Sequence, residues 1–414
     1  MSRIDDLIAE LCPDGVELRA LGEVGQFVRG NGLQKKDFVE EGVGCIHYGQ
    51  IYTLYGTSTT VTKSFVVPEL AHRLRKAQPG DLIVATTSEN DEDVCKAVAW
   101  LGASEVAVSG DAYVYSHTLD PLYAAYFFQS DAFQAQKKRY ITGTKVKRVS
   151  GADLARIRAQ VPPMAIQCEI VAILSEMEAL EAQLAVQLRA EREARRQQYV
   201  HHRASLFAFE PRQRVRWMAL GSVAEVRAGW GFPKKHQGQL VGAYPFFKVS
   251  DMNLPGNEKR MFSANNYVDE ATARSLGCKP APAGTVLFPK IGAAIATNKK
   301  RMLVQPSCYD NNVFGIIPLP VLNPRFLLHY LQTLDLSVFA HHSGAVPSIR
   351  KSTLDAHRIP LLPLGEQDRI GGILDRLEAS TDELSSCLSD EARGRRRQYG
   401  RYRDRLFAFE PATA

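Results

Sequence analysis

The sequence predicts an α+β protein in which two similar mixed α/β domains are separated by a long antiparallel two-helix coiled coil. Three observations predict it. At 414 residues the chain exceeds what one core sustains, since a single core stops growing near ~250–300 residues. It repeats itself at an offset of about 200 residues, and each copy ends in a long segment with heptad spacing.

The repeat is clearest at its ends. Arg195 to Pro211 and Arg395 to Pro411 share Arg-Arg-x-Gln-Tyr and close on Leu-Phe-Ala-Phe-Glu-Pro, an offset of 200. The same offset aligns Leu154 with Leu354, Arg158 with Arg358, Pro163 with Pro363, Gln167 with Gln367, Ile170 with Ile370 and Leu174 with Leu374. Upstream, Leu21-Gly22-Glu23-Val24 faces Leu220-Gly221-Ser222-Val223, and Lys35-Lys36 faces Lys234-Lys235, at 199. Most residues between these landmarks differ, so each half is a fixed frame around variable content.

Residues 16 to 150 alternate short β-rich runs such as Asp81-Leu82-Ile83-Val84-Ala85 with Gly, Asn and Asp, and residues 215 to 350 read likewise. After Pro162-Pro163 comes a segment whose apolar positions Ile166, Ile170, Ile173, Met177, Leu180 and Leu184 form an a/d seam. The second copy places Ile370, Ile373, Leu377 and Leu384 in phase, with Ser380 and Cys387 on the seam and Gly371-Gly372 at its start. Each helix is ~35–40 residues, about 50–60 Å at 1.5 Å per residue, and helices that long need one another. The expected parts are a first domain over 1–160, a spacer helix over 161–210, a second domain over 211–360 and a second spacer helix over 361–414.

Hydrophobic residues at 45% and charged residues at 23% suit a globular chain. No apolar stretch approaches the ~20 residues of a membrane span, and Met1 to Leu11 carries Asp5, Asp6 and Glu10 in place of a signal peptide, so a cytoplasmic location is expected. The seven cysteines are scattered and never form Cys-x-x-Cys, which argues for free thiols over a disulfide framework or zinc site. A net charge of +6, from 51 basic and 45 acidic residues, permits contact with a polyanion without requiring it.

Motifs with attached chemistry are absent: no phosphate loop, no nucleophile elbow, no His-Glu-x-x-His. Val161-Pro162-Pro163-Met164 lacks the polar and aromatic members with which amino-methyltransferases hold a flipped base. The acidic group Glu89, Asp91, Glu92 and Asp93 is the one candidate for a metal-dependent nuclease, with a solvated loop as the alternative. His201-His202 and His341-His342 lack further ligands at metal spacing and read as surface histidines.

Basic residues instead cluster with polar and aromatic ones in both variable regions, as phosphate contact and base-edge reading require. Lys35, Lys36, Lys137, Lys138, Arg139, Lys145 and Lys147 are the first domain's candidates. Lys234, Lys235, Lys290, Lys299, Lys300, Arg301 and Arg350 are the second's, with Ser343 nearby. His47, Tyr48 and Gln50, and in the second half Lys248, Ser250 and Asn253, occupy matched strand-to-loop positions and are candidate base readers. Two unlike readers on a spacer suit a DNA target of two half-sites, whose centres on one face lie about one turn, ~34 Å, apart.

The chain resembles the specificity subunit of Type I restriction-modification systems over essentially its whole length. The resemblance rests on Cys12-Pro13-Asp14-Gly15-Val16-Glu17 leading into Leu21-Gly22-Glu23-Val24, and on Pro-x-x-x-Gln before each heptad helix. The two Arg-Arg-x-Gln-Tyr helix ends, Tyr402 to Phe407 and the loop Gly229-Trp230-Gly231-Phe232-Pro233-Lys234 add to it. The first copy of that loop, Gly30 to Lys35, departs from the small-Thr-Pro-Ser form common there.

The resemblance implies two target-recognition domains, each binding one half of a bipartite double-stranded DNA site. It implies spacer helices that dock two methyltransferase (modification) subunits, which bring S-adenosylmethionine and methylate adenine. Restriction/translocase subunits using ATP and Mg²⁺ join them, and this chain binds no cofactor and catalyses nothing. Tyr199, Phe207, Phe209, Tyr399, Phe407 and Phe409 at the helix ends either cap the helices against their own domains or anchor a modification subunit. Two other readings stand beside this one: an autonomous metal-dependent nuclease, and a coiled-coil scaffold whose domains bind proteins.

Overall fold

The strand Leu82–Ala85 is buried on both faces, with Leu82 and Val84 in one core cluster and Ile83 and Ala85 in another. Alternation at period two lets one strand serve two cores. It is the middle of a five-stranded sheet ordered Gly25–Arg29, Ala112–His117, Leu82–Ala85, Lys96–Trp100 and Ser58–Thr59, antiparallel except for the last pair. A second sheet runs Ser64–Val66, Val43–Ile46, Val106–Val108 and Lys76–Ala77.

The second half repeats the plan, except that its smaller sheet has no counterpart strand to Lys76–Ala77 among the described residues. Ala224–Ala228, Val313–Pro318, Val286–Pro289, Arg301–Leu303 and Arg260–Met261 form its five-stranded sheet, again with a parallel last pair. Tyr267–Val268, Tyr244–Phe247 and Cys308–Tyr309 form the smaller one, with the same senses of pairing as their counterparts. The computed structural model describes residues 3–209, 215–341, 346–410 and 412; His342 and Ser343 lie outside them. Two units result, one of residues 1–188 and 389–414, the other of residues 189–388. The α+β class and the duplication expected from the sequence are both present.

Two long helices, Met164–Phe207 and Leu364–Leu406, divide their residues between the units. In the first unit, Glu178 and Glu181 lie by Tyr399 while Ala185 and Leu188 line a groove with Ala392 and Arg395, so the two segments run antiparallel. In the second unit, Tyr199 meets Glu378 while Arg189, Arg192 and Arg196 line a groove with Leu384, Ser385 and Leu388, the same arrangement.

The packed stripe differs from the expected seam. Ile166, Ile170 and Ile370 are buried as expected, and Ile173, Met177, Leu184, Ile373, Leu377 and Leu384 are half-buried, but Leu174 and Leu374, off that seam, are fully buried and Leu180 is 59% exposed. Ser380 and Cys387 are exposed as well. The stripe follows 174, 178, 181, 185 and 188, one residue later than a seam drawn through Ile173 and Leu180. The globular cores recruit Leu174 and Leu374 and so set the rotation of each helix.

Gly371 marks a close approach. A Cβ there would lie 3.3 Å from the Arg325 side chain and 3.4 Å from the Phe326 amide, on the helix Pro324–Gln332.

The Pro-x-x-x-Gln landmark has a mechanical cause. Gln367 is buried; its Oε1 accepts from the Asn323 amide at 2.8 Å, and its Nε2 donates to the carbonyls of Val321 at 3.0 Å and Leu362 at 2.7 Å. Gln167 does the same with the Asp120 amide and the Pro162 carbonyl. Asp120 and Asn323 are the N-caps of Pro121–Gln129 and Pro324–Gln332, so one glutamine ties each long helix to the cap of the helix it packs on.

The aromatic helix ends pack largely against their own units, the capping arrangement of the two expected from the sequence. Phe407 is buried with Tyr123 and Phe127, at ring separations of 5.0 and 6.1 Å. Phe207 sits 5.2 Å from Phe326 and 5.5 Å from Tyr330. Tyr399 and Phe409 pack on the first core, Tyr199 on the second, and Phe209 meets Trp217 edge-on.

Candidate nucleic-acid interface

In each unit three segments converge beside the smaller sheet: the Gly-x-Gly loop, the helical turn after the strand that carries the candidate readers, and the turn before the last long strand. Gly30 donates its amide to the Ala112 carbonyl at 2.9 Å, and a Cβ on it would overlap the Ser109 carbonyl oxygen. Only glycine allows that approach. The loop then enters the turn Lys35–Asp37, closed by the Gln34 amide donating to Asp37 Oδ2 at 2.8 Å, with Lys35 and Lys36 exposed.

Strand Val43–Ile46 delivers His47 as the N-cap of helix Tyr48–Thr53. Its Nδ1 accepts from the Gly49 amide at 3.2 Å, its own amide donates to Gln50 Oε1 at 2.9 Å, and Gln50 Nε2 donates to Ser64 Oγ at 2.7 Å. Burial holds the His47 pKa below the ordinary imidazole value, with Lys35 adding to the effect against Asp111, so Nδ1 is free to accept. His47 and Gln50 are therefore buried capping groups, not base readers. Tyr48, half-buried, has its amide held by Ser109 Oγ at 2.8 Å and stays beside the lysine turn with the ring of His47 at 4.6 Å.

A short ribbon adjoins this helix. Tyr52 donates to the carbonyls of Ala85 and Thr87, and Thr87–Ser88 pairs with Lys147–Arg148. Lys138, Arg139 and Lys145 are exposed, while Lys147 is half-buried and pairs with Asp91 at 3.2 Å.

Lys137 is fully buried, its Nζ donating to the carbonyls of Glu92 and Val94, each at 2.9 Å. It closes the acidic loop and is not available to DNA. Asp93 is held by Asn90 at 2.7 Å, and the acids of this loop do not converge on one point. Among the described residues, the His and carboxylate group with ligand atoms within 4.8 Å is His329, Asp375 and Glu378. That group is occupied by protein partners, with Arg325 and Arg260 on Asp375, Lys259 on Glu378, and His329 Nε2 on Asp375. His341 contacts Thr353 Oγ1, and His201 and His202 are exposed.

The second unit uses the same frame with different groups. Gly229 donates to the Val313 carbonyl, a Cβ on it would overlap Asp310 and Tyr309 carbonyl oxygens, and Phe232 stacks on Phe246 at 3.8 Å. The turn Lys234–His236 exposes Lys234 and Lys235. Lys248 replaces His47 as cap, its amide donating to Asp251 Oδ2 at 2.7 Å, but its side chain extends to Gln237 Oε1 at 3.2 Å. Lys299 reaches Asn253 Oδ1, and Lys290 donates its amide to Asn312 while its Nζ lies 5.2 Å from the Phe314 ring centre. Ser250, Asn253 and Arg350 are exposed.

Lys300 and Arg301 turn inward, contrary to the expectation that both face DNA. Asn298 adopts a left-handed conformation at φ 52°, which leaves Lys299 on the outside and buries Lys300 against the Leu334 carbonyl at 2.5 Å and Asn298 Oδ1 at 2.6 Å. Burial pushes the Lys300 pKa down to about 8. Arg301 donates to the Lys300 carbonyl at 3.0 Å, and its Nε is buried without a partner.

The structure thus brings together Lys35, Lys36 and Tyr48 in one unit, and Lys234, Lys235, Lys248, Asn253 and Lys299 in the other. Sequence reasoning passed over Ser109 and Asp310, the paired turn residues that hold the frame. Their signal is the offset of 201 between the turns, which is visible only once the strands are aligned.

A duplicated sheet domain with a cation-bearing loop, mounted on paired long helices, defines a class of protein built to present two related surfaces. The chain belongs to the family described as Type I restriction modification DNA specificity domain, which matches residues 13–190 and 214–392. It is 27% identical over 257 residues to the EcoR124I/EcoR124II specificity subunit of Escherichia coli, covering 60% of this chain and 61% of that protein. It is 25% identical over 276 residues to the putative specificity subunit S.HindORF215P of Haemophilus influenzae, covering 65% and 68%. The chain thus spans less than two thirds of the length of the E. coli relative.

Its fold is similar to that of the HsdS subunit from Thermoanaerobacter tengcongensis, with TM-score 0.58, 19% identity and 96% and 97% of the chains covered. A chain from a study of assembly and conformational transition of the type I R-M system gives TM-score 0.72 at 20% identity, covering 95% and 97%. Among the described residues no helix is long and apolar enough to cross a membrane.

Proposed function

We propose that this chain reads DNA sequence for a Type I restriction-modification complex, each unit recognising one half of a bipartite double-stranded target. It catalyses nothing itself. The observation that carries this is one frame built twice with unlike contents: Ser109 against Asp310, His47 against Lys248, Tyr48 against Val249, all beside a Lys-Lys turn. Exposed lysines supply sequence-independent attraction to phosphates, and the differing groups beside them supply selectivity. Two modification subunits dock on the long helices and bring S-adenosylmethionine for adenine methylation. Restriction subunits with ATP and Mg²⁺ complete the assembly.

Modified-base sequencing of DNA from cells holding the neighbouring methyltransferase, with and without this chain, tests the proposal. Methyladenine at one bipartite motif, lost when the chain is deleted, is the expected result. Exchange of residues 20–150 for another reader should change one half of that motif and leave the other. Methylation that does not depend on the chain refutes the proposal.

A further inference from the structure

The segments after the two lysine turns share a position and differ in chemistry. Lys35-Lys36 is followed by Asp37, Glu40 and Glu41 before Gly42; Lys234-Lys235 is followed by His236, Gln237, Leu240 and Val241 before Gly242. The two glycines are equivalent, since a Cβ on Gly42 would overlap the Val66 carbonyl and one on Gly242 would come within 2.8 Å of the Val268 backbone. Each lies at the strand that edges the smaller sheet, Ser64–Val66 or Tyr267–Val268.

In the second unit the segment is pinned up to its tip. Gly238 donates to Asn266 Oδ1 at 2.8 Å, the Tyr267 amide donates to the Gln239 carbonyl at 2.7 Å, and Gln237 is held by Lys248. From this base Leu240 and Val241 project with 71% and 86% of their surface exposed. From Lys234 to Ser250 the sequence contains no carboxylate, and Asp251 is buried as a cap.

Two exposed aliphatic side chains beside Lys234, Lys235 and Lys248 fit a partner that is anionic at its edge and apolar within. Duplex DNA has that character: phosphates rim a groove lined by base edges and thymine methyl groups, with base faces behind them wherever a step is opened. We propose that Leu240 and Val241 form an apolar prong that enters the DNA groove at the second unit's half-site and packs on the bases. The first unit, with Glu40 and Glu41 there, reads its half-site without one. This rests on the DNA-recognition reading above.

The test uses the assembled methyltransferase complex carrying Leu240→Ser with Val241→Ser, and as a control Glu40→Ser with Glu41→Ser. Affinity is measured for the cognate duplex, for a nonspecific duplex, and for cognate duplexes with uracil replacing thymine in each half-site in turn. The expected result for the prong variant is a loss of about tenfold or more on the cognate duplex, the scale of one aliphatic side chain's burial. Nonspecific affinity, thermal stability and complex assembly should be unchanged. A uracil that weakens wild type but not the variant identifies a methyl contact, and 2-aminopurine fluorescence identifies an opened base step.

Unchanged cognate affinity overturns the prong, and so does loss of assembly, which would make it a protein contact. Wild-type complex that does not distinguish cognate from nonspecific duplex overturns the recognition reading itself.

Discussion

Lys137 and Lys138 are neighbours in a basic run, yet the structure buries the first and exposes the second. Lys137→Met keeps the apolar stem and removes the ammonium that donates to the Glu92 and Val94 carbonyls. A buried acceptor left without its donor costs roughly 1–3 kcal/mol, which applies to the Val94 carbonyl, while the Glu92 carbonyl is only part-buried and open to water. The lower half of that range applies, about 1–2 kcal/mol, because burial already disfavours the charged amine and holds its pKa below the ordinary lysine value. Denaturant unfolding of the chain reads this directly. The companion assay follows DNA affinity of the assembled complex against salt, where each lost phosphate contact reduces the log–log slope by about 0.9. Lys138→Ala, at an exposed position, should leave stability within ~0.5 kcal/mol and flatten the slope. Lys137→Met should lower stability and leave the slope alone in the folded fraction. A stable Lys137→Met with a flattened slope would refute the assignment of that ammonium to the loop carbonyls.

Two further outcomes follow from burial. Leu174→Ala should destabilise the first unit by about 2–5 kcal/mol, while Leu180→Ala, at 59% exposure, should stay within ~0.5 kcal/mol in denaturant melts; equal effects would restore the seam through Leu180. Lys300 has a pKa of about 8 in the folded chain against 10.5 ordinarily, so between those values the unfolded chain binds more protons and Lys300's contribution to stability rises with pH. Buried Cys308 and Tyr309 in the same unit have raised pKa values and act in the opposite sense. The readout is therefore the stability of wild type minus that of Lys300→Met, which should grow from pH 8 to pH 10; a flat difference would show that Lys300 titrates normally.

The duplication and both long helices were legible because they rest on periodicity and on landmarks that recur at fixed offsets. The rotation of the helices was not. A heptad count puts Leu180 on the seam and leaves Leu174 off it, and only contact with the core containing Tyr126 and Phe128 makes Leu174 the buried one. Basic runs were legible as composition, whereas the direction of each lysine depended on backbone turns. A left-handed Asn298 separates Lys299 from Lys300, and a helical position at the loop edge aims Lys137 at carbonyls. For the aromatic helix ends the sequence left capping and anchoring both open, and what they pack on is set by the short helices Pro121–Gln129 and Pro324–Gln332, which lie against Phe407 and Phe207.

The split between frame and content has a physical origin at the reader turn. In both units the residue after the strand is capped through its amide by the side chain three positions on: Gln50 for His47, Asp251 for Lys248. That bond holds the turn whatever side chain the capped residue carries. His47 spends its imidazole on the Gly49 amide, whereas Lys248 sends its ammonium outward to Gln237, beside the Lys234–His236 turn. The backbone path is thus fixed by the cap and by a glycine pressed on the Ser109 or Asp310 carbonyl, while the exposed groups are free to differ. A surface of this kind can change its exposed chemistry without changing how it folds, which is why the repeat is visible in the frame and fades at the exposed residues beside it.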